Sequence, residues 1–355
     1  MVDVHYEMTV ANFKDITLQR ITKEKMINKN QKIQKNDINE NIITVFDIGC
    51  RFGIHPSWSK LKKKEFLKYY AFDVDEIEIK RLILKYKEYS NYIAIHRGFS
   101  NSEEIAELNI LAHHGQSSFF RPNLSSDWYR NHRALDAVIE SKKLYELTTL
   151  DIYCNREKIY PDFLKIDTEG YDYRILEGGK NILKSVIAIR CEVQYQEVFK
   201  LAESFADLNL LLSQNGFQLA NLDYDGKGIP KSYFCPNLNK YGIMIGGEAV
   251  FIRNYDYLKS LSVNKKISAI LFCFLNNLED SAYQLLIEMN VNEKKIVKQD
   301  PIWNEIKRQY CLCARNFLYI PGDNYARATK DYSIIFDSIF PERHEFYESD
   351  FLNPA

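Results

Sequence analysis

VFDIGCRFGIHP, residues 45–56, is the stretch that decides how this chain of 355 residues is read. Ile42, Ile43, Val45 and Phe46 lead into Asp47, and Gly49 and Gly53 follow ahead of a helix-compatible segment. The pattern predicts a buried strand, a tight glycine turn and a helix whose first N–H groups point back at that turn. Gly49 gives the turn a backbone position closed to side chains, or lets a ligand lie against the main chain. Gly53 allows the following helix to pack closely. Asp47 puts a carboxylate at the carboxyl end of a strand, where open α/β sheets bind ligands. A strand, turn and helix packed for their own sake would show the same pattern.

The turn excludes two common ligands. A dinucleotide site needs G-x-G-x-x-G, and Arg51 stands where its middle glycine belongs. A triphosphate loop needs Lys followed by Ser or Thr after the glycines, and none is present. An acidic residue ahead of the first glycine disfavours phosphate and favours a cationic or hydroxylated ligand. S-adenosylmethionine, with an ammonium, a sulfonium and no phosphate, suits such a turn.

Composition sets outer limits. The length allows one large or two unequal domains. Basic and acidic residues number 47 and 48, a balance that argues against a nucleic-acid surface as the main function. Seven cysteines are scattered without a zinc spacing or a disulfide framework, which suggests reduced thiols and a cytoplasmic location. The N-terminus lacks the basic-then-apolar order of a signal peptide. The longest apolar run, Ile267 to Leu275, is too short to span a bilayer and reads as a core helix.

Outward from the glycine turn, Trp58, Leu61, Phe66 and Tyr69 have helical spacing, so a helix is expected over 58–69. Tyr69 to Phe72 reads as the second strand, closed by Asp73, with Asp75 two residues on. An acidic residue at that strand tip is placed to accept two ribose hydroxyls, and Asp75 is equally suited to begin the next helix. Asn91 to Phe99 reads as the third strand. A further strand breaks at Gly115, beside His113, His114, Ser117 and Ser118. Adjacent histidines cannot share a strand face, so at most one meets a ligand there. Phe163, Leu164 and Ile166 form a strand that ends at Asp167, with Glu169 and Gly170 in its turn. Ser185 to Gln194 carries Glu192 at another strand end. Ser204 and Asp207 form a capping-box pattern for a helix that Gly216 ends. The alternation of strands and helices over 42–252 predicts a doubly wound α/β sheet. A polar arm, 1–41, precedes it. An all-helical extension, 253–355, follows it and is expected to cover the sheet, shape the acceptor site or pair subunits.

These residues carry a family likeness. VFDIGCRFG, YAFDVD, GQSSFF, TLDIY, FLKIDTEGYDYRILEGGKNIL and IRCEV, in this order, resemble the FkbM family of S-adenosylmethionine-dependent methyltransferases. The resemblance implies a Rossmann-like class I methyltransferase sheet with helices on both faces. It also implies methyl transfer to a hydroxyl, commonly of a glycan or secondary metabolite. By position, Asp47, Gly49, Cys50, Arg51 and Gly53 fall in the cofactor turn. Asp73 matches the ribose-binding acid, and Ser118 the mid-chain serine. Asp167, Glu169 and Glu192 match the acidic strand ends around the reacting centre. Two departures stand out: Arg51 replaces the usual Asn of the turn, and Asp73-Val74 the usual Glu-Pro.

Methyl transfer to an alcohol needs in-line alignment and a proton acceptor. Asp167 or Glu169 is expected to be that base, with Glu192 binding an acceptor hydroxyl or the cofactor ammonium. His114 or His113 is the alternative base. Asp167 and Glu169 could also hold a divalent ion through oxygen ligands, but two are too few alone, so no metal ligand is assigned. Two rival readings accompany this one. A nicotinamide oxidoreductase is opposed by the missing middle glycine, and a degenerate interaction module is opposed by the intact acidic and glycine positions.

Overall fold

The computed structural model describes residues 42–132, 134–223 and 244–317. The expected arm over 1–41, most of the DYDGKGIP turn and the SIIFDSIF stretch lie outside the described residues. In chain order the elements begin with β1 (Ile43–Ile48), α1 (Pro56–Ser59), β2 (Leu67–Asp73), α2 (Glu76–Lys85), β3 (Tyr92–His96), β4 (Gly98–Phe99) and β5 (Glu104–Leu111). Next come α3 (Asp127–His132), β6 (Ile139–Thr148), α4 (Leu150–Glu157), β7 (Phe163–Ile166), α5 (Asp172–Glu177), β8 (Ala188–Gln194) and α6 (Phe205–Gln214). The chain continues with β9 (Phe217–Asp223), β10 (Gly246–Arg253), α7 (Tyr255–Ser260), α8 (Val263–Leu275), α9 (Glu279–Glu288), α10 (Val291–Gln299) and α11 (Pro301–Phe317).

Seven strands form the main sheet in the order β3-β2-β1-β7-β8-β10-β9. β1 pairs in parallel with both β2 and β7, and only β10 runs against its neighbours. Chain order reverses between β1 and β7, and a crevice opens at the strands' carboxyl ends at such a switch point. This is the doubly wound sheet expected from the alternation, in the Rossmann-like form that the family resemblance implies. β4, β6 and β5 form a separate small sheet.

Side-chain alternation divides the core in two. Phe46, Phe72, Leu164, Ile166 and Ile189 face one way, against Leu150, Ile175 and Leu212 of α4, α5 and α6. Ile43, Val45, Leu67, Tyr69 and Phe163 face the other way, against Ile270 and Phe272 of α8 and Ile302 and Ile306 of α11. The described C-terminal helices therefore form the second helical layer of the sheet. Of the run Ile267 to Leu275, read as a core helix, residues 267–274 are buried and Leu275 is partly buried. Phe163 stacks on Phe272 with ring centroids 4.7 Å apart, and Trp58 packs on both rings.

Two expectations are corrected. The helix over 58–69 reduces to Pro56–Ser59, because Ile43 pairs with Leu67 and Val45 with Tyr69 in the sheet. The apparent helical spacing spans two elements. The strand over 91–99 also splits at Arg97: β3 stays in the main sheet while β4 crosses to pair with β6. The capping box forms as read, with Ser204 N–H donating to Asp207 Oδ2 at 2.9 Å.

Phe272→Ala should remove the stacked ring that joins the C-terminal layer to β7. The expected loss is about 3–5 kcal/mol of folding stability, measured by urea unfolding.

Candidate active site

The glycine turn takes its shape from the neighbouring strand. Gly49 has φ +79°, and a Cβ there would run into the carbonyl oxygen of Asp167. The turn is thus glycine because β1 and β7 approach closely at their ends. Gly53, at φ +94°, would press a Cβ into the Tyr86 hydroxyl. It accommodates the chain just after α2 and not the helix that follows it directly.

Beneath the turn lies a buried charge cluster. Asp47 is 0 % exposed, accepts the Tyr69 hydroxyl at 2.6 Å and stands 3.2 Å from the Lys165 ammonium. Lys165 also reaches Asp167 Oδ2 at 3.3 Å and the Gly49 carbonyl at 3.4 Å. Burial opposes the ammonium's charge, but the Asp167 and Asp47 carboxylates outweigh it and raise the Lys165 pKa. Asp47 lies below the cavity wall and braces the turn through Lys165. Cys50 is likewise buried in the core, and burial, then the charges of Asp73 and Asp47, keep its thiol protonated.

Above the turn a cavity of about 500 Å³ opens at the carboxyl ends of the strands, a size suited to a cofactor. Gly49, Arg51, Asp73, Gly98 and Phe99 line one part of it. Asp73 Oδ1 accepts the Asp75 N–H at 2.8 Å, and burial pushes its carboxyl up to about 6. A buried acid short of donors fits a pair of ribose hydroxyls, so Asp73 suits the cofactor expected here. Asp75 is engaged elsewhere: it caps α2 through Ile77 N–H and pairs with Arg51 at 2.8 Å. Arg51 keeps its guanidinium on that carboxylate at the rim.

Asp167, Glu169 and Glu192 line the cavity from β7 and β8, and one carboxylate oxygen from each lies within 4.8 Å of the others. Glu169 adopts φ +55°, unusual for a side-chain-bearing residue, and its carbonyl accepts the Ser118 hydroxyl at 2.7 Å. Ser118 thus positions Glu169 from within the wall. Glu192 has its pKa raised by burial and then by Glu169 and Asp167. Next to them, Asp172 accepts the Thr168 hydroxyl at 2.8 Å, and burial and then Asp167 push it up to about 7.

Of the two histidines, His114 lines the cavity, half-exposed on a 3₁₀ turn and 3.4 Å from Glu140. His113 packs its ring under Gly115. Sequence reasoning missed Glu248, which lines the acidic end from β10 opposite Glu192. Arg190 binds Glu248 at 2.5 Å, and Arg190 Nη2 donates to Asn276 Oδ1 at 3.2 Å, just past α8. The C-terminal layer thereby reaches the cavity wall. Phe52, Phe119 and Trp128 also line the cavity and were missed, since isolated aromatics in turns or in a helix of six residues carry no periodic signal.

Residues 47–219 match the methyltransferase FkbM domain. This part of the chain belongs to the FkbM family. It is an S-adenosylmethionine-dependent methyltransferase, and the nicotinamide and non-catalytic rivals give way to that assignment. No curated protein matches the chain significantly. Among solved structures, N-methyltransferase NodS from Bradyrhizobium japonicum WM9 is 8 % identical and covers 66 % of this chain and 96 % of its own, at a TM-score of 0.30. StiE O-MT residues 961–1257 are 11 % identical, covering 73 % of this chain and 80 % of that one, at 0.29. A SAM dependent methyltransferase from Aquifex aeolicus is 12 % identical, covering 64 % and 89 %, at 0.28. Among the described residues no helix is long and apolar enough to cross a membrane.

Two measurements test this electrostatic arrangement. Lys165→Met leaves Asp47 buried without its cation and should cost about 3–5 kcal/mol in urea unfolding. Asp172, with its folded pKa raised to about 7, contributes stability that is complete below about pH 4 and lost as pH rises through 7. Thermal unfolding across that range should show a shallower decline in Asp172→Asn, which keeps the Thr168 contact but cannot titrate.

Proposed function

We propose that this FkbM-family enzyme is an O-methyltransferase acting on a hydroxyl of a glycan or secondary metabolite. The observation that carries the reading is one cavity lined both by Asp73, at the end of β2, and by the Asp167–Glu169–Glu192 carboxylates around β7 and β8, across β1 in the sheet. In this proposal Asp73 accepts the ribose hydroxyls, and the main chain from Gly49 to Arg51 borders the amino-acid part of the cofactor. Gly49 and Gly53 set the turn's path, while Asp47 and Cys50 support it from beneath. Bound S-adenosylmethionine supplies an activated methyl group on a sulfonium.

The chain's own task is to present the acceptor oxygen in line and remove its proton. A sugar hydroxyl is a weak nucleophile, so a base within hydrogen-bond reach is required. Asp167 or Glu169 takes that proton, and Glu192 binds an acceptor hydroxyl or the cofactor ammonium. The closeness of the carboxylates favours this role, because neighbouring negative charge separates their pKa values and makes one of them a better base. Phe52, 79 % exposed at the cavity mouth, together with Phe119 and Trp128, offers apolar faces to the ring carbons of an acceptor. The described free cysteines are all buried, which fits a reducing cytoplasm as the working compartment.

Calorimetric titration should show binding of S-adenosylhomocysteine and none of NAD. Affinity should fall as pH drops through about 6, where Asp73 takes up a proton, and Asp73→Asn should flatten that dependence. With an accepted hydroxyl substrate, Asp167→Asn or Glu169→Gln should lower kcat by about 10²–10⁴-fold. Full activity in both variants, with His114→Ala inactive, would transfer the proton acceptor's role to the histidine.

A further inference from the structure

The acidic end of the cavity brings three carboxylates together, and the nearest cations offset them only in part. Lys165 is shared between Asp47 and Asp167, and Arg190 binds Glu248. Two buried oxygens in this wall have no hydrogen-bond donor. One is Glu192 Oε2. The other is Oε1 of Gln194, two residues on along the same face of β8, in a side chain only 6 % exposed. The Gln194 amide nitrogen lies against Gly170, so the amide sits over the turn that carries Glu169. Both residues line the cavity with Asp167 and Glu169.

We propose that Asp167, Glu169 and Glu192, with the unpartnered Gln194 amide oxygen in the same cavity wall, form a binding site for a divalent cation of the magnesium and manganese class. Carboxylate and amide oxygens are the donors that hard divalent ions prefer. An ion of this class bound at about 2.0–2.1 Å holds opposite oxygens about 4 Å apart, so these side chains reach one ion with shifts below about 1 Å. The carboxylate oxygens here lie within 4.8 Å of one another. Glu192 is the residue that changes the expectation drawn from sequence: it supplies the third carboxylate that Asp167 and Glu169 lacked.

The inference rests on the reading of this end as the acceptor site. A cation here draws in the acceptor hydroxyl oxygen and lowers its pKa. Each ligand uses one carboxylate oxygen, which leaves another to receive the proton. The O–H bond then breaks toward a carboxylate and the O–CH₃ bond forms. The S–CH₃ bond breaks at the same time, and its electron pair stays on sulfur.

The test is Mn²⁺ titration of the full chain without cofactor, followed by electron paramagnetic resonance of the free ion. One ion should bind per chain, and Glu192→Gln and Glu169→Gln should each weaken it by at least about tenfold. Glu107→Gln, in an exposed pair with Lys142, should leave binding unchanged. Thermal unfolding and S-adenosylhomocysteine titration check that each variant is folded. Absence of a one-to-one site in protein that binds S-adenosylhomocysteine, or unchanged affinity in both cluster variants, overturns the cation site. Methylation of a hydroxyl acceptor without any Mn²⁺ site rejects the cation alone. An intact Mn²⁺ site with no hydroxyl acceptor rejects the acceptor reading and leaves the cation site standing.

Discussion

A single buried ammonium organises the working end of this enzyme. Lys165 stands between the tips of β1 and β7, within 3.4 Å of Asp47, Asp167 and the Gly49 carbonyl. Tyr69 extends the cluster to β2 through its bond to Asp47. Burying a carboxylate as completely as Asp47 is costly unless a cation and hydrogen bonds accompany it. The arrangement therefore ties three strands and the glycine turn to one set of positions. The cofactor crevice gains a rigid floor from charges that lie below the cavity itself.

The carboxylates divide into three groups by what surrounds them. Asp47 is enclosed and neutralised. Asp167 sits at the boundary, paired with Lys165 on one side and lining the cavity on the other. Glu169 and Glu192 line the cavity, where burial and mutual repulsion raise the Glu192 pKa. Ser118 and Arg190 hold the scaffold around them, one through the Glu169 carbonyl and the other through Glu248.

Much of this was legible in the chain because it depends on local pattern. The strand, the Gly49 turn and the acids at strand ends are short-range features, and the parallel sheet follows from their repetition. The burial of Asp47 was not legible because its partners Tyr69 and Lys165 lie 22 and 118 positions away in the chain. Its contact with them decides whether the carboxylate faces a ligand or the interior. The false helix over 58–69 arose because periodicity cannot see that Leu67 and Tyr69 pair with β1. Glu248 was hidden for a similar reason: β10 enters the sheet from far along the chain and brings that side chain beside Glu192. The choice between Asp73 and Asp75, open in the sequence, follows from Asp75 being occupied by a helix end and Arg51.

The match to the family ends at residue 219, but the sheet does not. β10 inserts between β8 and β9, and the ring of Phe272 lies flat on that of Phe163. A gene fragment ending at the family boundary would encode the glycine turn and every acid that resembles the family. It would lack the strand and the helical layer that shield those residues from water. The matched portion is therefore not a self-sufficient unit of this sheet, whose order and second packed face are completed by residues beyond it.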